Sequence, residues 1–399
     1  MSDKSNKGHS ELREKGEVSP IHYGVMIKRS LFRIAPAICS VLILLGCVTT
    51  GPENIEKRPA IGLQGHTSKG GTPFIDAHNH LVGRYVSRPG IHETDYEGAA
   101  RVALDAMNRL GIKKMLIMPP PFPPDHPNRY TFEDLIGIVK RYADRFAFLG
   151  GGGTLNVMIQ QAVREGRTSQ ALKSRLEKTA IEILSKGAIG FGELTAEHFS
   201  LNIYHPYESA PPDHPLFLLL SDIAGRHGVP IDIHMEAIPE DMPLPKIRRL
   251  ESPHNPRLLS ANIPAFERLL AHNRNTKIIW AHVGWCNTGR RTAALCAELL
   301  ERHPNLYMSF KISQDSMPET RPLTEDLRIK PEWLGLIGAY PERFLIGSDR
   351  FYVTPRANIQ IGPPKREGEG PERLLAFLPV ELARKVGYGN TIRLFKLEE

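Results

Sequence analysis

The chain has 399 residues, 41% hydrophobic and 24% charged, an ordinary globular composition with ample material for a large core. Seven Lys/Arg against four acids give residues 1–46 a charge of +3, which leaves +4 of the net +7 for the rest. That mild balance argues against nucleic acid as a partner.

In chain order, the first readable element is an export signal. Lys28, Arg29 and Arg33 precede an apolar run from Ile34 to Leu45, and small residues follow. The run falls short of the ~20 apolar residues of a comfortable membrane span. The string Leu44-Leu-Gly-Cys47 resembles a bacterial lipobox. That resemblance implies a signal over residues 1–46, cleavage before Cys47 and lipidation of its thiol, palmitate included. With Val48 next rather than Asp, it also implies a lipid anchor at the periplasmic face of the outer membrane. The 25 residues before Met26 are polar and unusual for such a signal, so Met26 is an alternative start. Cys39 leaves with the signal, and Cys296, in an apolar helical stretch, is expected as a buried free thiol rather than half of a disulfide with Cys286. Residues 47–72, rich in Gly, Pro, Lys and Thr, read as a flexible tether.

From residue 73 to 399, apolar β-rich runs alternate with helical patterns. The predicted strands are Phe74–His80, Lys114–Met118, Phe146–Gly150, Ala188–Leu194, Pro230–His234, Lys277–His282, Leu306–Phe310 and Phe344–Asp349. The predicted helices between them are Tyr96–Leu110, Thr131–Tyr142, Ser169–Ser185, Pro215–His227, Pro264–His272, Thr292–Arg302 and Pro331–Tyr340, with closing helices over Pro371–Gly387. Such alternation predicts a parallel α/β sheet, and eight units fit a closed (β/α)8 TIM barrel. The structural alternative is an open doubly wound sheet, but no Gly-x-Gly-x-x-Gly turn follows the first strand. The long segments Pro119–Arg129, Thr195–His214 and Met235–Ile263 all follow strands, on the face where barrels carry their active sites.

Four of these strands end in metal-ligand residues. His78 and His80 are two apart, so a regular strand aims both the same way. With 16 His in the chain, one His-x-His pair arises nearly by chance. Placement makes the case: His234 closes the fifth strand, His282 the sixth and Asp349 the eighth, and a barrel aims strands 1, 5, 6 and 8 at a common point. Three His and a carboxylate suit zinc, with a position left for water. Asp349 is the candidate proton acceptor and donor. Asp76 and Asp232, each two residues before a ligand His, are expected to serve packing or strand-edge hydrogen bonds. Lys311 and Arg350 are candidates for binding an anionic substrate. His198 and Tyr204, in the fourth loop, are candidates for entering the pocket. Trp285 either walls it or packs.

The string Phe74-Ile-Asp-Ala-His-Asn-His80, with the C-terminal Leu378-Pro-Val-Glu-Leu-Ala-Arg-Lys-Val-Gly-Tyr-Gly-Asn-Thr-Ile-Arg-Leu-Phe395, resembles the amidohydrolase superfamily. The C-terminal string is similar to the branch containing aminocarboxymuconate-semialdehyde decarboxylase, and Asn390 and Arg393 in it are expected to be structural. The resemblance implies that Glu193, ending the fourth strand, bridges two ions. His78, His80 and Asp349 then hold one ion, and His234 and His282 the other. A mononuclear arrangement uses His78, His80, His234 and Asp349 and leaves His282 for acid–base work. Glu197 and Glu236 are weaker substitutes for Glu193. The expected activity is metal-dependent hydrolysis of a small ester, lactone or amide. The alternatives are a non-oxidative decarboxylase of the same superfamily and, lower, a lipoprotein that binds ligand without turnover. A DNase of the superfamily would call for more positive charge than +4.

Overall fold

The computed structural model describes residues 72–201, 206–359 and 370–398. The export signal, Cys47 and Tyr204 lie outside the described residues.

Eight parallel strands carry the fold: β1 (Phe74–Val82), β2 (Ile112–Ile117), β3 (Phe146–Phe148), β4 (Phe191–His198), β5 (Ile231–Met235), β6 (Ile278–Val283), β7 (Leu306–Phe310) and β8 (Phe344–Ile346). The hydrogen-bonded path runs β3-β2-β1-β8-β7-β6-β5-β4 and ends on Gly150–Gly151, two residues beyond β3. Both ends of the path are the same stretch of chain, so the sheet closes into a barrel. Ile189 N donates to Phe148 O at 3.0 Å and Gly150 N to Gly190 O at 3.2 Å across that closing seam. An open doubly wound sheet is thereby ruled out.

The helices outside are α1 (Tyr96–Leu110), α2 (Glu133–Arg141), α3 (Leu155–Glu165), α4 (Gln170–Ser185), α5 (Pro215–His227), α6 (Ile263–His272), α7 (Ala293–Arg302) and α8 (Pro331–Ala339), then α9 (Pro371–Phe377), α10 (Val380–Arg384) and α11 (Asn390–Phe395). Local chemistry sets their ends. In α1, the Asp95 carboxylate accepts from Gly98 N at 2.8 Å, and Gly111 closes the helix in the left-handed region, which glycine tolerates. Ala99, Ala100, Ala103 and Met107 form its buried stripe.

Ala77, Leu116, Ile279 and Leu345 pack together from four strands with Leu149, just beyond β3, and Leu394 and Phe395 of α11 pack with them. Apolar packing therefore fills the barrel, and polar side chains cluster only where the strands end. Cys286 and Cys296 are both free and buried, as expected for Cys296.

Several features depart from the expectations. The helix α3 lies between the expected third strand and the helix expected over Ser169–Ser185, where no element is predicted. A hairpin, Arg84–Arg88 with Ile91–Thr94, follows β1. The fourth strand runs on to His198, so His198 is on the strand rather than in the loop. The eighth strand stops at Ile346, three residues before Asp349, and a short strand Arg350–Val353 then pairs with the far end of β1. Asn390 is structural as expected: its Nδ2 donates to the carbonyls of Pro341 and Phe344, both at 2.8 Å.

Candidate metal centre

The strands that carry the candidate residues are irregular at those positions. The β1–β2 register shifts between Asp76 and Asn79, and the β6–β7 register shifts between Trp280 and Val283. Such shifts re-aim side chains that a regular strand would place on alternating faces. His282 and Asp349 have φ of 67° and 53°, two of only four non-glycine positive values among the described residues. That backbone is sparsely populated for side-chain-bearing residues and costs on the order of 1–3 kcal/mol. It persists because neighbours fix it: Asp349 N donates to His78 O at 2.9 Å, and Trp285 N donates to His282 O at 3.0 Å. Gly347 is required here, since a Cβ on it would stand 2.8 Å from Ser309 Cβ and 3.1 Å from His78 Cβ.

Six expected residues come together. Three sets have ligand atoms within 4.8 Å of one another: His78, His80 and Glu193; His78, His282 and Asp349; Glu193, His234 and His282. Glu193 sits at the middle. Its Oε1 lies 2.8 Å from His234 Nδ1 and 3.2 Å from His282 Nε2. Its Oε2 lies 3.4 Å from His80 Nε2 and 3.6 Å from His78 Nε2. Asp349 Oδ1 lies 3.2 Å from His80 Nε2.

Contacts behind the imidazoles orient them. His80 Nδ1 is 2.8 Å from the Met118 carbonyl, which only accepts, so Nδ1 carries the proton and Nε2 keeps its lone pair. His78 Nδ1 is 3.1 Å from Asp232 Oδ1. The Nε2 atoms of His78 and His80 are buried without a hydrogen-bond partner. Buried polar atoms are ordinarily paired, so converging orphan nitrogens around a carboxylate fit a divalent cation.

The electrostatics agree. Burial alone would raise Glu193, but His78, His234 and His282 hold its carboxyl well below the usual range. Burial also works against ionisation of Asp349, yet Lys311 and His282 hold it well below its usual range. Burial pushes His282 well down, which keeps its imidazole neutral. For His78 burial is overcome by the carboxylates of Asp232 and Glu193, and its pKa stands well above normal.

Other expected residues are distributed around this cluster. The His198 ring is 4.7 Å from that of His234, and its Nδ1 is 3.2 Å from Pro206 O. Lys311 Nζ is 2.5 Å from Asp349 Oδ2 and 3.9 Å from the centre of the Trp285 ring. Trp285 therefore faces the site, 6.4 Å from the His282 ring. Arg350 is not brought in; a Cβ on Gly370 would lie 2.9 Å from its Nη2. Glu197 bonds Tyr207 and Ser209, and Glu236 bonds Cys286 and Asn287, so neither replaces Glu193. Asp76 serves packing as expected, accepting from Ser348 N at 2.8 Å and Ser348 Oγ at 2.5 Å. Asp232 does not: it approaches the His78 ring. The register shift in β1 separates Asp76 from His78, whereas Asp232 comes to His78 from β5.

A sequence profile described as amidohydrolase matches residues 185–397. The chain belongs to the amidohydrolase family. Families of this type bind a divalent metal, and the cluster fits one. No curated protein matches the chain. Among solved structures, an uncharacterised TIM-barrel protein from Bordetella bronchiseptica is similar at 13% identity over 82% of this chain and 99% of that one, with a TM-score of 0.47. A probable 2-pyrone-4,6-dicarboxylic acid hydrolase from Acinetobacter baumannii, with citric acid bound, is similar at 10% identity over 82% and 100%, with a TM-score of 0.48. A dihydroxybenzoic acid decarboxylase from Polaromonas, with bound manganese, is similar at 14% identity over 82% and 98%, with a TM-score of 0.43.

Proposed function

We propose that the protein is a metal-dependent hydrolase of a small ester, lactone or amide, with zinc at a two-ion centre. The observation that carries this reading is the central Glu193 carboxylate. Its Oε1 faces His234 and His282 while its Oε2 faces His78 and His80. His78, His80 and Asp349 would hold one ion and His234 and His282 the other, with Glu193 between them. A bound divalent ion supplies Lewis-acid chemistry, polarising a carbonyl and lowering the pKa of a coordinated water from ~15.7 to ~7. Asp349 receives the proton of the attacking water at Oδ1, since Lys311 occupies Oδ2, and returns it to the leaving oxygen or nitrogen. Burial and the surrounding imidazoles keep bulk water from competing for these groups.

The alternative is a non-oxidative decarboxylase with one ion on His78, His80, His234 and Asp349. His234 groups with Glu193 and His282 rather than with His78 and His80, which favours the two-ion hydrolase. Export, lipidation at Cys47, a tether over 47–72 and a barrel over 73–399 complete the proposal and place the enzyme in the cell envelope. The deciding experiment is metal analysis of the purified full chain with a panel of esters, lactones and aromatic acids. Two equivalents of metal with hydrolysis are expected. One equivalent with release of carbon dioxide would overturn the hydrolase reading.

A further inference from the structure

His80 is held by more than its own hydrogen bond. The last β1–β2 pair is Asn79 with Ile117, and β2 ends there, so β2 itself offers Leu81 N no carbonyl. The hydroxyl of Tyr130, from the segment that follows β2, fills that place: Leu81 N donates to Tyr130 Oη at 3.2 Å. The same hydroxyl donates to the Met118 carbonyl at 2.9 Å. That carbonyl also accepts from His80 Nδ1 at 2.8 Å, while Met118 N donates to Asn79 O at 2.9 Å.

Chemistry fixes the direction of each bond. A backbone amide only donates and a carbonyl only accepts, so the single phenol proton points at Met118 O. The contacts close a circuit from Leu81 N through Tyr130 Oη, Met118 O and His80 Nδ1, and back along the His80 side chain to Leu81. The imidazole can turn only if one of these bonds breaks. Leu81 and His80 are 0% exposed and Tyr130 is 3% exposed, so a group that lost its partner here would be left buried and unpaired.

Tyr130 is itself firmly seated. Arg84 Nη1, just beyond β1, donates to Arg129 O at 2.7 Å, and Arg129 Nη2 donates to Gly153 O at 2.8 Å. A Cβ on Gly153 would stand 2.0 Å from Tyr130 O. The segments that follow β1, β2 and β3 therefore meet at this residue. The neighbouring Tyr96 differs: its ring is 5.4 Å from that of Tyr130, but its buried hydroxyl has no hydrogen-bond partner among the described residues.

We propose that Tyr130 is a positioning residue of the metal centre, whose hydroxyl, acting through the Met118 carbonyl and Leu81 N, keeps His80 Nε2 turned toward the ion. The inference rests on the proposed function only for an ion on His80, which the two-ion and one-ion arrangements share.

The test is zinc affinity of the full-length protein and of Tyr130→Phe, Tyr96→Phe and Arg84→Met, measured by competition with a chromogenic chelator. Urea unfolding of the metal-free proteins is followed alongside. Tyr130→Phe is expected to weaken at least one equivalent of zinc by ~10-fold or more, the usual effect of losing a group behind a metal-bound imidazole. Tyr96→Phe, which removes a hydroxyl from the adjacent ring, is expected to keep wild-type affinity. Arg84→Met loosens the seat of Tyr130 from a half-buried position, is expected to lose a smaller factor, and decides the matter if Tyr130→Phe does not fold. A Tyr130→Phe protein that unfolds at lower urea yet binds zinc like wild type has lost only a structural contact, and that result overturns the proposal. An equal loss in Tyr96→Phe overturns it too, as does wild-type affinity in Arg84→Met where Tyr130→Phe does not fold. Each of those results leaves the proposed function standing. A wild-type protein that binds zinc ~10-fold more tightly than Tyr130→Phe but hydrolyses no ester, lactone or amide sinks the hydrolase reading and upholds the role of Tyr130.

Discussion

Lys311 donates to Asp349 across 38 residues of sequence, with Nζ 2.5 Å from Oδ2, and the Trp285 ring backs the same ammonium at 3.9 Å. One carboxylate oxygen is thereby committed to a cation, and Oδ1 is the oxygen turned toward His80. Lys311→Met leaves Asp349 free to rotate. Misplacement of a catalytic group costs up to ~100-fold in turnover, and we expect a loss of that order in kcat. Lys311→Arg should recover part of it. A methionine variant with wild-type kcat would show that the ammonium does not position Asp349.

Asp349→Asn keeps the shape but cannot accept a proton. Turnover should fall by ~10²–10⁴-fold, the usual contribution of a positioned acid–base group, while circular dichroism stays unchanged. Retained activity would rule out the shuttle role.

Glu193→Gln removes the charge shared by four imidazoles. Metal content measured by plasma emission should drop from two equivalents to one or none. Two equivalents in the variant would show that the carboxylate does not bridge.

Asp232 stands behind His78, 3.1 Å from Nδ1. Carboxylates in that position raise ligand basicity, and their loss typically costs ~10–100-fold in metal affinity. Asp232→Asn should show that loss in competition with a chromogenic chelator, whereas Asp76→Asn should not, since Asp76 is bonded to Ser348.

Much of this site was legible along the chain. Apolar runs rich in Ile and Phe mark strands, and His78, His80, His234 and His282 stand at or near their ends, where barrel topology puts functional residues. Local features were less so. The glycines of Gly150–Gly153 allow the chain to pass close to Pro119 and Tyr130 before α3 begins, an approach that no periodicity announces. Asp76 and Asp232 are alike in sequence, each two residues before a ligand His. A register shift distinguishes them, and such shifts depend on neighbouring strands. The partner of Lys311 was hidden for the same reason: contacts between β7 and β8 loops leave no periodic trace. The left-handed backbone of His282 and Asp349 carries no glycine or asparagine that would announce it.

Glu208 provides a test by pH. Burial pushes its carboxyl from 4.5 up to about 8, with Asn156 Nδ2 as its donor at 2.8 Å. The folded chain therefore holds this proton more tightly than the unfolded chain. Its contribution to stability is complete below 4.5 and is lost as pH rises through about 8, at ~1.4 kcal/mol per pH unit in between. Glu208→Gln should flatten that slope in urea melts at pH 5 and pH 8. An equal slope in both proteins would place the titration elsewhere.

The clasp between Asp76 and Ser348 joins residues 272 positions apart. A ribosome must therefore have released nearly the whole chain before the first and last strands can meet. His78 and His80 emerge early and wait for Asp349. On the proposed two-ion reading, loading of the ion that His78, His80 and Asp349 would hold is post-synthetic, and a chain truncated before Gly347 should be unable to retain that ion however well its earlier strands have folded.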